Sequence, residues 1–287
     1  MDKYVNCIAH NSSEGQLLIG NEKTALVDCG MAFCSDKTIN NIKSALGNRS
    51  LDYILITHTH YDHIGALPFI KKEWPNAQTV TSEAGAAVLL KDTPRRVIRE
   101  LSINAAGVLG GAFDFEYSDD VFKADIIVKD GDTIFLGDIT IEALETPGHT
   151  RDSLCYFIPE LELLILNETP GVLMPDGFMY PCYLTGYDDT LRSIEKCRNK
   201  PYKYLSLPHR GIAKNEDTDG YFDRSLAANK ECYNFILDMK QKNYNEEEML
   251  DLFYKKYGTP TLLTYQPKEA FIANARATIT CTLKGTC

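Results

Sequence analysis

The sequence predicts an α/β protein, a layered αββα sandwich with a C-terminal helical extension. Three observations lead there. Short apolar runs bounded by Gly, Pro, Asn and Asp occur in two blocks, each accompanied by helical periodicity. From about residue 219 the strand pattern stops and helical patterns follow one another. Several apolar runs also deliver a histidine at their C-terminal end, where α/β proteins carry chemistry.

In chain order, "QLLIG", the turn "NEK" and "TALVDCG" read as a hairpin. "SDKTINNIKSALGN" reads as a helix with Ser35 as N-cap and Gly47 as its stop. "LDYILIT" is a short apolar run of the kind found in a strand buried on both faces. "IGALPFIKKEW" is helical, with Pro68 near its start, where proline is tolerated. "AQTVTS" is a strand and "EAGAAVLL" a helix. Residues 91–125 are expected to form a helical insertion or lid.

Strands return in "ADIIVKDGDTIFLGDITIEALETPGHT", where Asp130-Gly131 and Gly137-Asp138 are expected hairpin turns. "SLCYFIP" and "LELLILNE" form another hairpin, "DDTLRSIEKCRNK" a helix, and "YLSLPH" a last strand. Three helical patterns complete the chain, the middle one opened by an Asn245 to Glu248 capping box. The expected division is 1–215 for the sandwich and 216–287 for the helical extension.

Composition narrows the function. The chain has 287 residues, 44% of them hydrophobic and 24% charged, enough for a sizeable core without disulfide staples. A net charge of -10 disfavours nucleic acid as a partner. Arg95, Arg96 and Arg99 form the one basic group, and read as a solvated helix face. Nine cysteines occur without a CxxC pair, which argues against a zinc ribbon or dithiol motif. The N-terminus lacks an apolar secretory core and no run is long enough for a membrane span. A cytoplasmic protein with a small-molecule substrate is expected; the oligomeric state is left open.

"THTHYDH", from Thr57 to His63, holds three of the six histidines. In extended chain, residues two apart point the same way, so His58 and His60 can face one ion. Asp62 and His63 follow where the chain turns into a helix and can address a second. Imidazole and carboxylate suit Zn²⁺, Fe²⁺ or Mn²⁺. His149, after "ITIEALETPG", and His209, after "YLSLP", also stand at strand ends; only His10 does not. The competing reading is a polar surface loop plus isolated structural histidines. Five histidines at equivalent positions favour one convergent site.

HxHxDH, then "TPGHT", a strand ending in an acid, and "PHRG" resemble the metallo-β-lactamase superfamily from about Leu17 to Gly211. The helical tail is similar, less specifically, to the extension of its glyoxalase II-like branch. The resemblance implies a four-layer αββα sandwich and two metal positions. His58, His60 and His149 would hold one ion; Asp62, His63 and His209 would hold the other. Asp28, in "TALVDCG", would support the site. The family's bridging acid is an Asp in a Gly-Asp step; here "LLILNET" puts Glu168 at that place, reaching one methylene further. Glu168 could also be an ordinary exposed acid after a strand.

The activity so implied is hydrolysis of a small ester, thioester, lactone or phosphoester by hydroxide formed between two divalent ions, zinc first, with iron or manganese as alternatives. Asp62 would also orient the attacking water. The alternatives are an iron-dependent oxidoreductase of the same fold and a low-turnover binding or regulatory protein. Specificity is expected from residues 91–125, from the loop "TPGVLMPDGFMYPCYLTGY" and from the tail. In that loop Tyr180 or Tyr183 could offer a hydroxyl to a pocket, although packing of the tail is the favoured role; nothing marks Cys182 as a nucleophile.

Overall fold

Alternation along the strands builds two sheets back to back. In a computed structural model of the chain, describing residues 2–10, 13–110 and 116–284, the first sheet has six strands. β1 (Tyr4–Asn6), β2 (Gln16–Ile19) and β3 (Thr24–Val27) pair antiparallel. β4 (Tyr53–Leu55), β5 (Gln78–Ser82) and β6 (Ile126–Val128) continue parallel to β3. Parallel pairing needs crossovers. These are supplied by α1 (Ser35–Leu46), α2 (Tyr61–Ile64), α3 (Leu67–Glu73), α4 (Glu83–Leu89) and α5 (Asp92–Ala105).

The second sheet begins with the meander β7 (Thr133–Phe135), β8 (Thr140–Glu145), β9 (Leu154–Ile158) and β10 (Leu163–Ile165). A two-stranded hairpin, β11 (Val172–Leu173) and β12 (Met179–Tyr180), stands apart. α6 (Tyr187–Arg198) then crosses to β13 (Tyr204–Leu207), parallel to β10, and β14 (Gly211–Ile212) closes the edge.

The period of two assigns each strand residue to a layer. On β3, Ala25 and Val27 face the second sheet while Leu26 packs under the helices. On β9, Leu154, Tyr156 and Ile158 enter the core between the sheets, and Cys155 and Phe157 the core beneath α6. Helix, sheet, sheet and helix therefore stack in four layers, as the sequence predicts.

Several local expectations need correction. Asp130-Gly131 is not a hairpin turn: β6 belongs to the first sheet and β7 to the second, so this turn carries the chain between sheets. Gly137-Asp138 does join a hairpin, β7 to β8. Ser35 is the first residue of α1 and not its cap; Cys34 takes the N-cap position without a side-chain bond. β13 is not the last strand, because β14 follows it. α5 buries Ile98 and Ala105 in the outer core of the first sheet, as a packed layer element. The expected insertion over 91–125 also includes 111–115, which lie outside the described residues.

The tail comprises α7 (Asn215–Thr218), α8 (Tyr221–Gln241), α9 (Glu246–Tyr257), α10 (Pro260–Tyr265) and α11 (Lys268–Lys284). Two short helices thus join the three long ones that periodicity foretells. The Asn245–Glu248 capping box is present, with reciprocal bonds of 3.1 and 2.8 Å. Phe253, Phe271 and Ile236 pack around Tyr180 and Tyr183 of the loop before α6. No helix among the described residues is long and apolar enough to cross a membrane.

Candidate metal centre

β4 ends at Leu55, and the chain leaves the sheet in an extended stretch that runs to His60, the N-cap of α2. Two acids hold this irregular backbone. Thr57 N–H donates to Asp28 Oδ1 at 2.8 Å, and Thr59 N–H to Asp152 Oδ2 at 2.9 Å. On the second sheet, His149 follows Gly148, where a Cβ would lie 2.1 Å from Thr190 Oγ1 and φ is +147°. Only glycine allows that approach. His149 N–H then donates to Thr169 Oγ1 at 3.2 Å, and Thr169 Oγ1 donates to Thr146 O at 2.8 Å. The "TPGH" turn is thereby tied to the end of β10.

All seven expected ligands converge. Donor atoms of His58, His60, His149 and Glu168 lie within 4.8 Å of one another, as do those of Asp62, His63, Glu168 and His209. Glu168 belongs to both groups, one carboxylate oxygen to each. Its Oε2 is 2.7 Å from His149 Nε2 and 3.7 Å from His58 Nε2. Its Oε1 is 2.6 Å from His209 Nε2 and 4.0 Å from His63 Nε2. Asp62 Oδ2 lies 3.8 and 3.9 Å from the Nε2 atoms of His63 and His209. His10 stays apart, edge-on to Phe33.

The outer faces of the imidazoles decide which nitrogen points inward. His63 Nδ1 bonds Asp28 Oδ2 at 2.8 Å, and His149 Nδ1 bonds the Cys182 carbonyl at 2.9 Å, so both present Nε2. His60 instead presents Nδ1, 3.0 Å from His149 Nε2. The Nε2 atoms of His58 and His63 are buried without a hydrogen-bond partner. Leaving such a group unpaired costs about 1–3 kcal/mol. Two orphaned inward nitrogens among carboxylates fit divalent transition metals.

Sequence reasoning missed Glu14, Asp152, Thr169 and the Cys182 carbonyl. Asp152 stands three residues after His149, and that proximity was a usable signal. Glu14 had none. It is buried, its Oε1 accepts from the His209 backbone N–H, and Gln16 Nε2 reaches its Oε2 at 3.3 Å. Asp28 and His209 both adopt left-handed backbone, φ 56° and 61°, a strained conformation held by these contacts.

Burial and neighbouring imidazoles push His58 well below the usual histidine value, and push His60 down to about 3. For His63 burial acts in the same direction, but Asp28 and Asp62 outweigh it and hold the ring up at about 10. Burial also opposes charge on Glu168, yet His149 and His209 hold its carboxyl well below the ordinary value. His149 and His209 are raised in turn against their own burial.

A narrow pocket of about 460 Å³, including its mouth, opens on Asp62, Glu168 and His209. β11, β12 and the segment after them contribute Val172, Met174, Tyr180 and Cys182; α10 and its C-cap contribute Leu262, Tyr265 and Gln266. Among the described residues of 91–125, none lines this pocket. Tyr180 lines it and also packs near Phe271, whereas Tyr183 is buried in the tail core with its hydroxyl 2.8 Å from Thr282 Oγ1.

Residues 16–209 match the family model of the metallo-beta-lactamase superfamily. The chain belongs to this superfamily. A probable metallo-hydrolase of Bacillus subtilis, YqgX, is 28% identical over 55% of the chain and 64% of its own length. A nitric oxide reductase of Moorella thermoacetica is 29% identical over 54% of the chain and 33% of its own length. The chain thus spans less than two thirds of each of these relatives. A metallo-beta-lactamase family protein of Thermus thermophilus shares the fold, with TM-score 0.59 and 17% identity over 99% of this chain and 93% of that one.

Proposed function

We propose that this superfamily member is a metal-dependent hydrolase of a small ester, thioester, lactone or phosphoester, loaded with two divalent transition-metal ions. The observation that carries the reading is Glu168, whose two oxygens each face a different group of imidazoles. His58, His60 and His149 would hold one ion, Asp62, His63 and His209 the other, with Glu168 between them. When bound, two such ions supply Lewis acidity and lower the pKa of a shared water from about 15.7 toward ~7.

The chain's own groups do the rest. Asp28 and the Cys182 carbonyl fix the tautomers of His63 and His149, so the inward nitrogens carry lone pairs. Asp62, which lines the pocket, would orient the attacking water. Tyr61 and the hairpin residues wall the reacting atoms from solvent. The net charge of -10 supports a small molecule as partner over nucleic acid.

YqgX's name as a probable metallo-hydrolase agrees with this reading. The Moorella relative's name, a nitric oxide reductase, agrees with a redox alternative, although the matched stretch is only 33% of that protein. Protein purified without added metal should carry up to two ions per chain by elemental analysis. It should hydrolyse members of a chromogenic ester, thioester and phosphodiester panel, lose activity with chelator and regain it with zinc. Iron content with oxygen consumption and no hydrolysis would overturn the proposal in favour of the redox reading.

A further inference from the structure

Glu168 can serve both groups of imidazoles only if its backbone is held still, because its side chain turns about one more bond than an aspartate does. Its Oε2 lies 2.7 Å from His149 Nε2 and its Oε1 2.6 Å from His209 Nε2. The chain arrives from β10, and Leu166 N–H still bonds across to β13, at Ser206 O, 3.0 Å. From Asn167 onward, side-chain bonds replace the sheet ladder.

Asn167 supplies them. It is buried, its Oδ1 accepts from Thr169 N–H at 2.7 Å, and its Nδ2 donates to Thr146 Oγ1 at 2.7 Å. Its own N–H donates to Cys155 Sγ at 3.3 Å. The bond to Thr169 is an Asx turn closed around Glu168. The peptide after Glu168 is thereby held at both ends, its N–H by Asn167 and its C=O by Gly171 N–H at 2.9 Å. The same contacts orient the carboxamide, since a backbone N–H can only donate.

The bond to Thr146 reaches the other ligand turn, the one that carries His149. Thr146 O accepts from Thr169 Oγ1 at 2.8 Å, and Thr169 Oγ1 accepts from His149 N–H at 3.2 Å. Asn167, Thr146 and Thr169 thus close a ring of bonds that joins the backbone of Glu168 to that of His149. Any buried carboxamide needs partners. Those of Asn167 flank two candidate ligands.

We infer that Asn167 is a positioning residue for the metal centre: its carboxamide, bonded to Thr146 and Thr169, sets the backbone of Glu168 so that each carboxylate oxygen meets one imidazole group. The inference rests on the two-ion reading above and adds to it the residue that fits a glutamate to the bridge.

The test loads the full chain with Mn²⁺ and reads it by electron paramagnetic resonance and calorimetric titration. Two Mn²⁺ ions sharing a carboxylate give one exchange-coupled signal, whereas separate ions give the hyperfine pattern of isolated Mn²⁺. The parent should show the coupled signal. Asn167→Ala removes both side-chain bonds; it should lose that signal and bind the second ion about tenfold more weakly. Asn167→Asp keeps an acceptor for Thr169 N–H and for the Thr146 hydroxyl, which can turn to donate, and should retain the coupled signal. Asn229→Ala is the control for burial alone, because Asn229 is equally enclosed on α8, with its Nδ2 bonded to Ser225 O at 2.9 Å. It should lower the melting temperature and leave the signal and the second ion unchanged. In a Glu168→Ala background, Asn167→Ala should change the second ion's affinity by less than about twofold, since a positioning residue acts through the group it positions.

A coupled signal and parent affinity in Asn167→Ala would overturn the inference, as would a loss of affinity that persists in full without Glu168. If the alanine variant does not fold, Asn167→Ser takes its place, because a serine hydroxyl makes the same turn more weakly. A weakened coupled signal there supports the inference, and an unchanged one overturns it. A parent that binds Mn²⁺ with no coupled signal would remove the two-ion reading, and the inference with it.

Discussion

Asp28 and His63 meet at 2.8 Å, carboxylate Oδ2 to imidazole Nδ1, both buried. The same carboxylate holds Thr57 through its backbone N–H and its hydroxyl, at 2.8 and 2.7 Å. One side chain therefore orients a candidate ligand and anchors the strand end that carries the others. Asp28→Asn tests this cleanly, since asparagine tolerates the left-handed backbone at φ 56°. Metal affinity at the His63 position should drop by about 10–100-fold with the fold intact. Unchanged affinity by metal titration would reduce Asp28 to a backbone anchor.

Glu168→Gln keeps the shape and removes one negative charge between two dications. At ~4 Å and an effective dielectric of ~20 each charge pair is worth about 4 kcal/mol before desolvation. A fraction of that should weaken the second ion more than tenfold, at about 1.4 kcal/mol per decade. Glu168→Asp should recover it partly, with altered metal preference, because the shorter arm cannot span both imidazole groups equally. Two ions bound to Glu168→Gln as tightly as to the parent would place the bridge elsewhere.

Glu14 and His209 are separated by 195 residues, yet the His209 N–H donates to the Glu14 carboxylate. Glu14→Gln keeps an acceptor and should retain both ions. Glu14→Leu removes it, leaving buried partners of His209 and Gln16 unpaired. A loss of about 1–3 kcal/mol in unfolding free energy is expected, together with weaker binding of the ion at His209. Denaturant melts and metal titration measure both; equal behaviour of the two variants would show that charge, not acceptance, is what matters.

Metal loading should release protons. His63 is held at about 10 by Asp28 and Asp62, so its ring is protonated at neutral pH in the metal-free chain, and His149 and His209 are shifted in the same direction. A metal needs them deprotonated. Affinity should therefore fall as pH falls. Calorimetry in buffers of differing ionisation enthalpy counts the protons; none released at neutral pH would contradict the protonated cluster.

His149→Ala should abolish turnover while leaving far-UV circular dichroism and the melting transition largely unchanged. Its ring faces Glu168 and His60, and Thr169 holds its backbone independently of the side chain. Wild-type metal content in this variant would separate His149 from the centre.

Much of the site was legible before any coordinate. His58, His60, Asp62 and His63 declare themselves because ligand spacing within seven residues is a local property of an extended chain entering a helix. His149 and His209 are legible as strand-end residues, since a parallel or meandering sheet brings its strand ends to common rims, and Glu168 through the resemblance, as the acid after a strand. The hairpins β2–β3 and β9–β10 were legible for the same local reason: strand, tight turn and strand lie together in the chain.

The sequence by itself thus determined the layered α/β class, the helical tail and the histidine cluster, written in short-range pattern, with Glu168 added by the resemblance. Tertiary structure alone decided that β6 and β7 part into different sheets, because the Asp130-Gly131 turn reads identically whether its strands pair or separate. It alone decided which nitrogen each histidine presents, through Asp28 and the Cys182 carbonyl, and that Glu14 backs His209. It also decided which part of the tail, α10 and its C-cap Gln266, lines the pocket. These are contacts between segments far apart in sequence, set by how whole layers pack, and no periodicity within a segment records them.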